Sequence, residues 1–216
     1  MGQKTIQPAL LSGRVKVPPS KSMAHRAIIC AALAEGRSIV ENVAFSDDIL
    51  ATMEGMRRLG ARIENLGGGT LAVDGIGQGQ TISGLPEIDC KESGSTLRFL
   101  IPVALGLARG ARFTGRGNLG KRPLDVYTKI FDEQGIETQA QGPLLDLRVS
   151  GQLRAGTFSM RGDVSSQFIT GLLFILPLMA EDSELVITTH MESKSYVDMT
   201  LSVLADFGIR VKNEAY

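Results

Sequence analysis

The sequence predicts an α/β (α+β) fold in which a β-α-β-α-β-β unit occurs three times around buried inner helices. Three observations predict it. Segments 47–64, 123–139 and 196–212 each carry an Asp near the start, apolar residues at three- and four-residue spacing, then Gly and a strand-like tail. That is an amphipathic helix with a glycine stop, and the stops Gly60, Gly135 and Gly208 lie 75 and 73 residues apart. A serine-led, almost wholly apolar helix precedes each one, with Ser22, Ser95 and Ser166 spaced by 73 and 71 residues. Short strand-like runs fill the gaps, and two independent markers with nearly one period argue against coincidence.

In the first unit "GRVKV" reads as a strand, "PSKSMAHRAIICAALAEG" as the inner helix and "SIVENV" as the next strand. The helix at 47–64 then leads to strands "ARIENL" and "TLAVDG", and the glycine-rich "GGGTLAVDGIGQG" (67–79) reads as hairpin turns. The second unit runs "EIDC", the inner helix "ESGSTLRFLIPVALGLARG", "ARFTG", the outer helix, "IETQAQ" and "LLDLRV". The third offers "GTFSM", the inner helix "SSQFITGLLFILPLMAED", "ELVITTH", the outer helix and "GIRVK". Serine-led helices are apolar on every side and belong inside; the amphipathic ones cover them. Only eight residues follow Gly208, so the last strand is missing, and "TIQPALLSG" stands outside the repeat. The expectation is a chain cut from something longer, or one that ends in a partner's sheet.

Composition narrows the function. The 216 residues are 43% hydrophobic and 21% charged, ordinary globular values, and allow one large domain or two small ones. The formal net charge is zero, so no general nucleic-acid or anionic-membrane surface is expected and any anion site must be local. Cys30 and Cys90 form no C-x-x-C, and with His25 and His190 the only histidines, no structural zinc site is expected. Cys30, in an apolar run, reads as a small buried hydrophobe. The start of the chain has no signal pattern, and the apolar "FITGLLFILPLMA" is too short to span a bilayer and reads as a core helix. A reducing, cytoplasmic setting fits best.

The chemistry gathers at helix starts. First-turn N–H groups lack intrahelical partners and the macrodipole adds partial positive charge, so such ends bind phosphates and carboxylates. A serine there is also an ordinary cap, but each start carries more. The first has Lys21, with Ser22 and Arg26 one turn apart on one face; the second has Gly94, Ser95 and Arg98; the third has Ser165, Ser166 and Gln167. "GKRP" (120–123) sets Lys121 and Arg122 beside a proline suited to a first helical position, and "SKSY" (193–196) adds serines, a lysine and a tyrosine. Five such starts point to a pocket for a small molecule with more than one anionic group. "GRGNLGKR" (115–122) has Arg122 where a P-loop needs Ser or Thr, then Pro123, and is rejected as a nucleotide site. His25 faces the cationic cluster and reads as a packing or hydrogen-bonding residue.

"PPSKSMAHRAIICAALAEG", "SGSTLRF", "GKRPL", "GDVSSQF" and "ESKSYVDMT" resemble, in order, the motifs of the EPSP synthase family of 3-phosphoshikimate 1-carboxyvinyltransferases of the shikimate pathway. The resemblance runs from about residue 13 to the end. It implies one lobe of an inside-out α/β barrel: residues 13–216 as an N-terminal lobe with repeats at about 13–84, 85–152 and 153–216, the last incomplete, and residues 1–12 in the other, absent lobe. It implies enolpyruvyl transfer from phosphoenolpyruvate to the 5-hydroxyl of shikimate 3-phosphate, by addition and elimination through a tetrahedral intermediate, with release of phosphate. No metal or organic cofactor is implied, no nucleic acid or membrane partner, and a monomeric full-length enzyme; an isolated lobe would be inactive. Lys21 would be catalytic and touch both ligands. Ser22, Arg26, Ser165, Ser166, Gln167, Ser193 and Tyr196 would hold shikimate 3-phosphate, and Gly94, Arg122 and Gln167 phosphoenolpyruvate. Arginine suits such sites because its planar fork bonds two anionic oxygens at once.

Two alternatives stand beside this reading. UDP-N-acetylglucosamine enolpyruvyl transferase shares the fold but usually has Lys-Asn where this chain has Lys21-Ser22, and a loop cysteine not found here; a non-catalytic module for phosphorylated metabolites is the other. The chain departs from the EPSP synthase pattern at Glu92, whose carboxylate would repel an anionic donor unless Lys91 neutralised it, and at Phe99, where one branch has proline. Both bear on the response to the family's inhibitor, glyphosate. Family acid–base residues fall largely in the half that is absent.

Overall fold

A computed structural model describes residues 3–10, 12–77, 82 and 84–214. The element order follows the repeat: α1 (Lys21–Leu33), β1 (Arg37–Val40), α2 (Asp47–Arg58), β2 (Arg62–Gly67) and β3 (Thr70–Asp74). The second unit contributes β4 (Glu87–Asp89), α3 (Gly94–Ala108), β5 (Gly110–Thr114), α4 (Asp125–Gln134), β6 (Glu137–Ala140) and β7 (Asp146–Ser150). The third contributes β8 (Thr157–Met160), α5 (Gln167–Ile175), β9 (Glu184–Ile187) and α6 (Lys194–Asp206).

Only the second unit is complete. Its sheet has the order β4-β5-β7-β6, with β4 and β5 parallel and the other pairs antiparallel. The first sheet, β1-β3-β2, is the same arrangement without the parallel strand. The third, β8 parallel to β9, is the same arrangement without the antiparallel hairpin. Two strands expected from the sequence are therefore absent among the described residues. "GRVKV" (13–17) pairs with nothing, and Val15 and Val17 are 88% and 76% exposed. "GIRVK" (208–212) is likewise irregular. A strand exists only where a neighbour takes its N–H and C=O groups, so alternating apolar residues alone did not suffice.

The helices sort as the patterning requires. In α1, α3 and α5 most residues are buried, whereas in α4 only Tyr127, Ile130 and Phe131 are, and in α6 only Val197, Thr200, Val203 and Leu204. The stop glycines take positive φ at Gly60, Gly135 and Gly208 (101°, 67° and 82°), where L side chains strain. Gly67, Gly68 and Gly69 do the same between β2 and β3, the hairpin the sequence suggested; residues 78 and 79 of that stretch lie outside the described residues. The helix of "FITGLLFILPLMA" ends at Ile175 and passes into a short 3-10 turn carrying Pro177.

At the centre, α3 and α5 pack most closely. A Cβ on Gly171 would stand 2.5 Å from the Arg98 carbonyl oxygen, so only glycine admits this approach. α1 joins through rings: Phe99 of α3 stands edge-on to Phe174 of α5 at 5.5 Å and to His25 of α1 at 6.2 Å. Cys30 and Cys90 are buried free thiols, and burial pushes both pKa values up, that of Cys30 to about 12. No helix among the described residues is long and apolar enough to cross a membrane.

Candidate active site at the starts of the inner helices

The first two inner helices divide the work of their serines. Ser20 and Ser93 are N-caps, whose hydroxyls accept the N–H of Met23 (3.3 Å) and of Thr96 (3.1 Å). Ser22 and Ser95, two residues on, line a cavity of about 250 Å³ instead. At the third helix Ser165 accepts the Gln167 N–H at 3.4 Å, while Ser166 makes no capping bond; both line the same cavity. Arg26, Phe99, Gln167, Ser193 and Tyr196 complete the wall.

Arg26 is the charge in this cavity, although it is only 2% exposed. Its Nε donates to Thr200 Oγ1 (2.8 Å), its Nη1 to the Ser22 carbonyl (2.9 Å), and its Nη2 to the Tyr196 carbonyl (3.0 Å) and Thr170 Oγ1 (3.4 Å). Phe99 and Tyr196 present their rings at 5.5 and 5.9 Å. All these oxygens are neutral, and no ion pair among the described residues includes Arg26. Burial accordingly lowers its pKa to about 10, and it stays charged at neutral pH. A buried cation without a counter-ion is costly; an anion entering the cavity would supply one.

A second cationic group adjoins this wall. An ideal Cβ on Gly94 would overlap Arg122 Nη1, so the guanidinium lies directly over the start of α3. Arg98 bonds the Pro123 carbonyl and Gln167 Oε1, each at 2.9 Å, and packs 4.7 Å over the Phe168 ring, leaving its Nε without a partner. Burial first, and then the neighbouring Arg122, lower the Arg98 pKa. Gln167 stands between the two regions, accepting from Arg98 and donating from Nε2 to Ser95 Oγ at 2.9 Å.

The structure thus brings Ser22, Arg26, Ser165, Ser166, Gln167, Ser193 and Tyr196 into one cavity, and sets Gly94 and Arg122 together beside it. Lys21 is not in the wall: its ammonium is held by Asp48 at 2.6 Å. The proline of "GKRP" is not a first helical residue either, since α4 begins at Asp125 and Lys121 ends a 3-10 turn. Nor does Lys91 neutralise Glu92. Lys91 Nζ lies 3.8 Å from Asp47, and Glu92 packs on Gly117, where a Cβ would come within 2.7 Å of its Cδ. Ser95, named at the second helix start, lines the cavity, but it was assigned no ligand, and Phe99 was missed as a site residue. The 73-residue step from Ser22 marks Ser95, and Phe99 occupies the place of Arg26 in the second unit.

His25 is buried below the wall. Its Nδ1 lies 2.7 Å from Thr52 Oγ1, which lies 2.7 Å from Thr96 Oγ1, while Nε2 has no partner. Desolvation outweighs the attraction of Asp48 and lowers its pKa to about 4, so it is neutral at physiological pH. Among the described residues no group of His, Cys, Asp and Glu could hold a metal ion. What the cavity offers is a fixed cation, hydroxyl donors and helix N-termini, which together suit a phosphate-bearing ligand.

A family model described as EPSP synthase (3-phosphoshikimate 1-carboxyvinyltransferase) matches residues 6–216. The chain is 56% identical over 221 residues to the 3-phosphoshikimate 1-carboxyvinyltransferase of Clostridium beijerinckii, covering all of this chain and 51% of the relative. To that of Clostridioides difficile it is 51% identical, again over all of this chain and 51% of the relative. The solved EPSP synthase of Acinetobacter baumannii superposes with a TM-score of 0.76 at 25% identity, over 94% of this chain and 45% of that one. The chain spans about half the length of the relatives it matches.

Proposed function

The chain belongs to the EPSP synthase family, and on that premise we propose that it forms the amino-terminal, substrate-binding lobe of an enzyme that transfers the enolpyruvyl group of phosphoenolpyruvate to the 5-hydroxyl of shikimate 3-phosphate. Arg26 and Ser22 hold the acceptor, with Ser165 and Ser166 on its ring and Ser193 and Tyr196 completing the grip on its phosphate. Gly94 and Arg122 hold phosphoenolpyruvate, and Gln167 lies between the two ligands. Lys21 leaves Asp48 to meet both when the second lobe closes and excludes water. The observation that carries this reading is Arg26, buried without an acidic partner at a cavity ringed by serine hydroxyls.

Among the described residues, the cavity wall contains no carboxylate or imidazole. Proton movement in the addition and elimination therefore falls to Lys21 and to groups of the second lobe. Residues 1–12 belong to that lobe, in keeping with the full exposure of Ile6 and Leu10 here, and 13–84, 85–152 and 153–216 are the three repeats. The complete enzyme is a cytoplasmic monomer that uses no cofactor.

Titration of this chain with shikimate 3-phosphate, followed by NMR, should shift the amides of Ser22, Arg26, Ser166 and Gln167. Arg26→Ala should weaken binding by about tenfold to a hundredfold, the worth of a charge-assisted hydrogen bond or two, with the fold intact. The second lobe added in trans should bring phosphate release that this chain alone does not support. Unchanged affinity in Arg26→Ala would overturn the placement of the acceptor phosphate, and turnover by this chain alone would overturn the division between lobes.

A further inference from the structure

Each outer helix carries a buried hydroxyl at the same place in the repeat, eight residues before its stop glycine: Thr52 on α2, Tyr127 on α4 and Thr200 on α6. They are spaced by 75 and 73 residues, as the glycines are. All three are fully buried, at 0% exposure. Each ties the inner helix of its own unit to the inner helix of the next. Thr52 Oγ1 lies 2.7 Å from His25 Nδ1 on α1 and 2.7 Å from Thr96 Oγ1 on α3. Tyr127 shares its hydroxyl proton between the carbonyl oxygens of Arg98 on α3 (2.6 Å) and Phe168 on α5 (3.2 Å). Thr200 Oγ1 lies 2.9 Å from Thr170 Oγ1 on α5, accepts from Arg26 Nε on α1 at 2.8 Å, and donates to the Tyr196 carbonyl of its own helix at 2.9 Å. The last contact returns to α1, so the three hydroxyls close a ring around the inner helices.

We propose that this ring is a positioning device for the phosphate-binding cavity. The inference rests on the reading of that cavity given above. The ring's partners lie within the first two turns of α1, α3 and α5, beside the helix starts whose Ser22, Ser95 and Ser166 line the cavity. Apolar packing is non-directional and lets helices settle by sliding, whereas a hydrogen bond is steep in distance and angle and fixes one register. A buried polar group without a partner is costly, so Thr52 and Tyr127 disfavour any arrangement that separates their two helices. At Thr200, whose hydroxyl also reaches the Tyr196 carbonyl of its own helix, the group left unpaired would be Arg26 Nε. Three helix starts carried by three different units are thereby held at one spacing, and Arg26 is oriented from behind by Thr200. Thr52, Tyr127 and Thr200 touch no ligand and act through the side chains and backbones they hold.

The test measures binding of shikimate 3-phosphate to this chain and to Thr52→Val, Tyr127→Phe and Thr200→Val, alongside thermal unfolding of each. Affinity should fall about tenfold in every variant, including the two whose hydroxyls do not bond Arg26, while unfolding stays cooperative. Thr52→Ser and Thr200→Ser should restore binding, which mere repair of volume would not. If Tyr127→Phe fails to fold, the double variant with Pro102→Ala returns an N–H to the Arg98 carbonyl, and its binding should still be weak. Full affinity in all three variants overturns the ring alone. A loss confined to Thr200→Val reduces the ring to one contact on Arg26 and overturns it as well. No binding by the unaltered chain overturns the phosphate site itself and the ring with it.

Discussion

Arg26 and His25 are neighbours on α1, both almost wholly buried, and burial acts on them to different ends. The guanidinium keeps its charge because its pKa, though lowered to about 10, remains far above neutral; the imidazole, lowered to about 4, loses it. For His25 the consequence is a stability that depends on pH. The folded state binds its proton more weakly than the unfolded chain, whose histidine titrates near 6.5. The stabilisation is therefore complete above about pH 6.5 and is lost as pH falls toward about 4, a swing of about 3 kcal/mol. Urea unfolding of the wild type and His25→Asn between pH 7.5 and 4.5 should show the wild type losing more stability; parallel curves would count against a buried neutral imidazole. The sequence placed Ser22 and Arg26 on one face of a helix, and the structure puts both in the cavity. Which serine caps and which faces the ligand was not legible, since Ser20 and Ser22 differ only in where the helix begins. Nor was the hold of Thr200 on Arg26, which joins residues 174 apart.

Among the elements, α3 is the least regular in principle and among the most buried in fact. Pro102 sits inside it without an N–H, so the Arg98 carbonyl one turn back lacks its helical donor. Tyr127 supplies the missing proton from α4 at 2.6 Å. That arrangement explains why the hydroxyl at this place in the repeat is a tyrosine, long enough to reach a backbone where the threonines reach side chains. It also explains Gly171, since a Cβ there would overlap the Tyr127 hydroxyl. Tyr127→Phe should cost about 1–3 kcal/mol, the price of a buried carbonyl left unpaired. Pro102→Ala in the same chain should recover part of it, because the alanine N–H returns to Arg98. Additive effects in the double-mutant cycle, read from denaturant midpoints, would mean that proline and tyrosine are not coupled. Periodicity made the six helices and the strands of the second unit legible, because each buries a patterned face. It failed at "GRVKV" and "GIRVK", where strand formation depends on a neighbour that local sequence does not encode.

At the scale of the whole molecule, the second unit shows what the other two lack. Its strand β5 has neighbours on both sides, β4 and β7, while the equivalent β1 is paired only with β3 and β9 only with β8. Both therefore present a row of unpaired N–H and C=O groups among the described residues, and both carry an exposed apolar side chain there: Ile39 is 55% and Val186 36% exposed. Such edges are templates for another strand. The chain spans about half the length of the relatives it matches. Alone in solution, the chain should self-associate as concentration rises, with zero net charge offering no general repulsion to oppose it. Ile39→Lys with Val186→Lys places a charge on each edge, and should return the chain to monomer in light scattering while leaving the shikimate 3-phosphate shifts at Ser22 and Arg26 in place. Association that persists unchanged in the double variant would move the contact away from the sheet edges, toward the apolar hollow between Cys30, Phe174 and Phe207 where the far ends of α1, α5 and α6 meet.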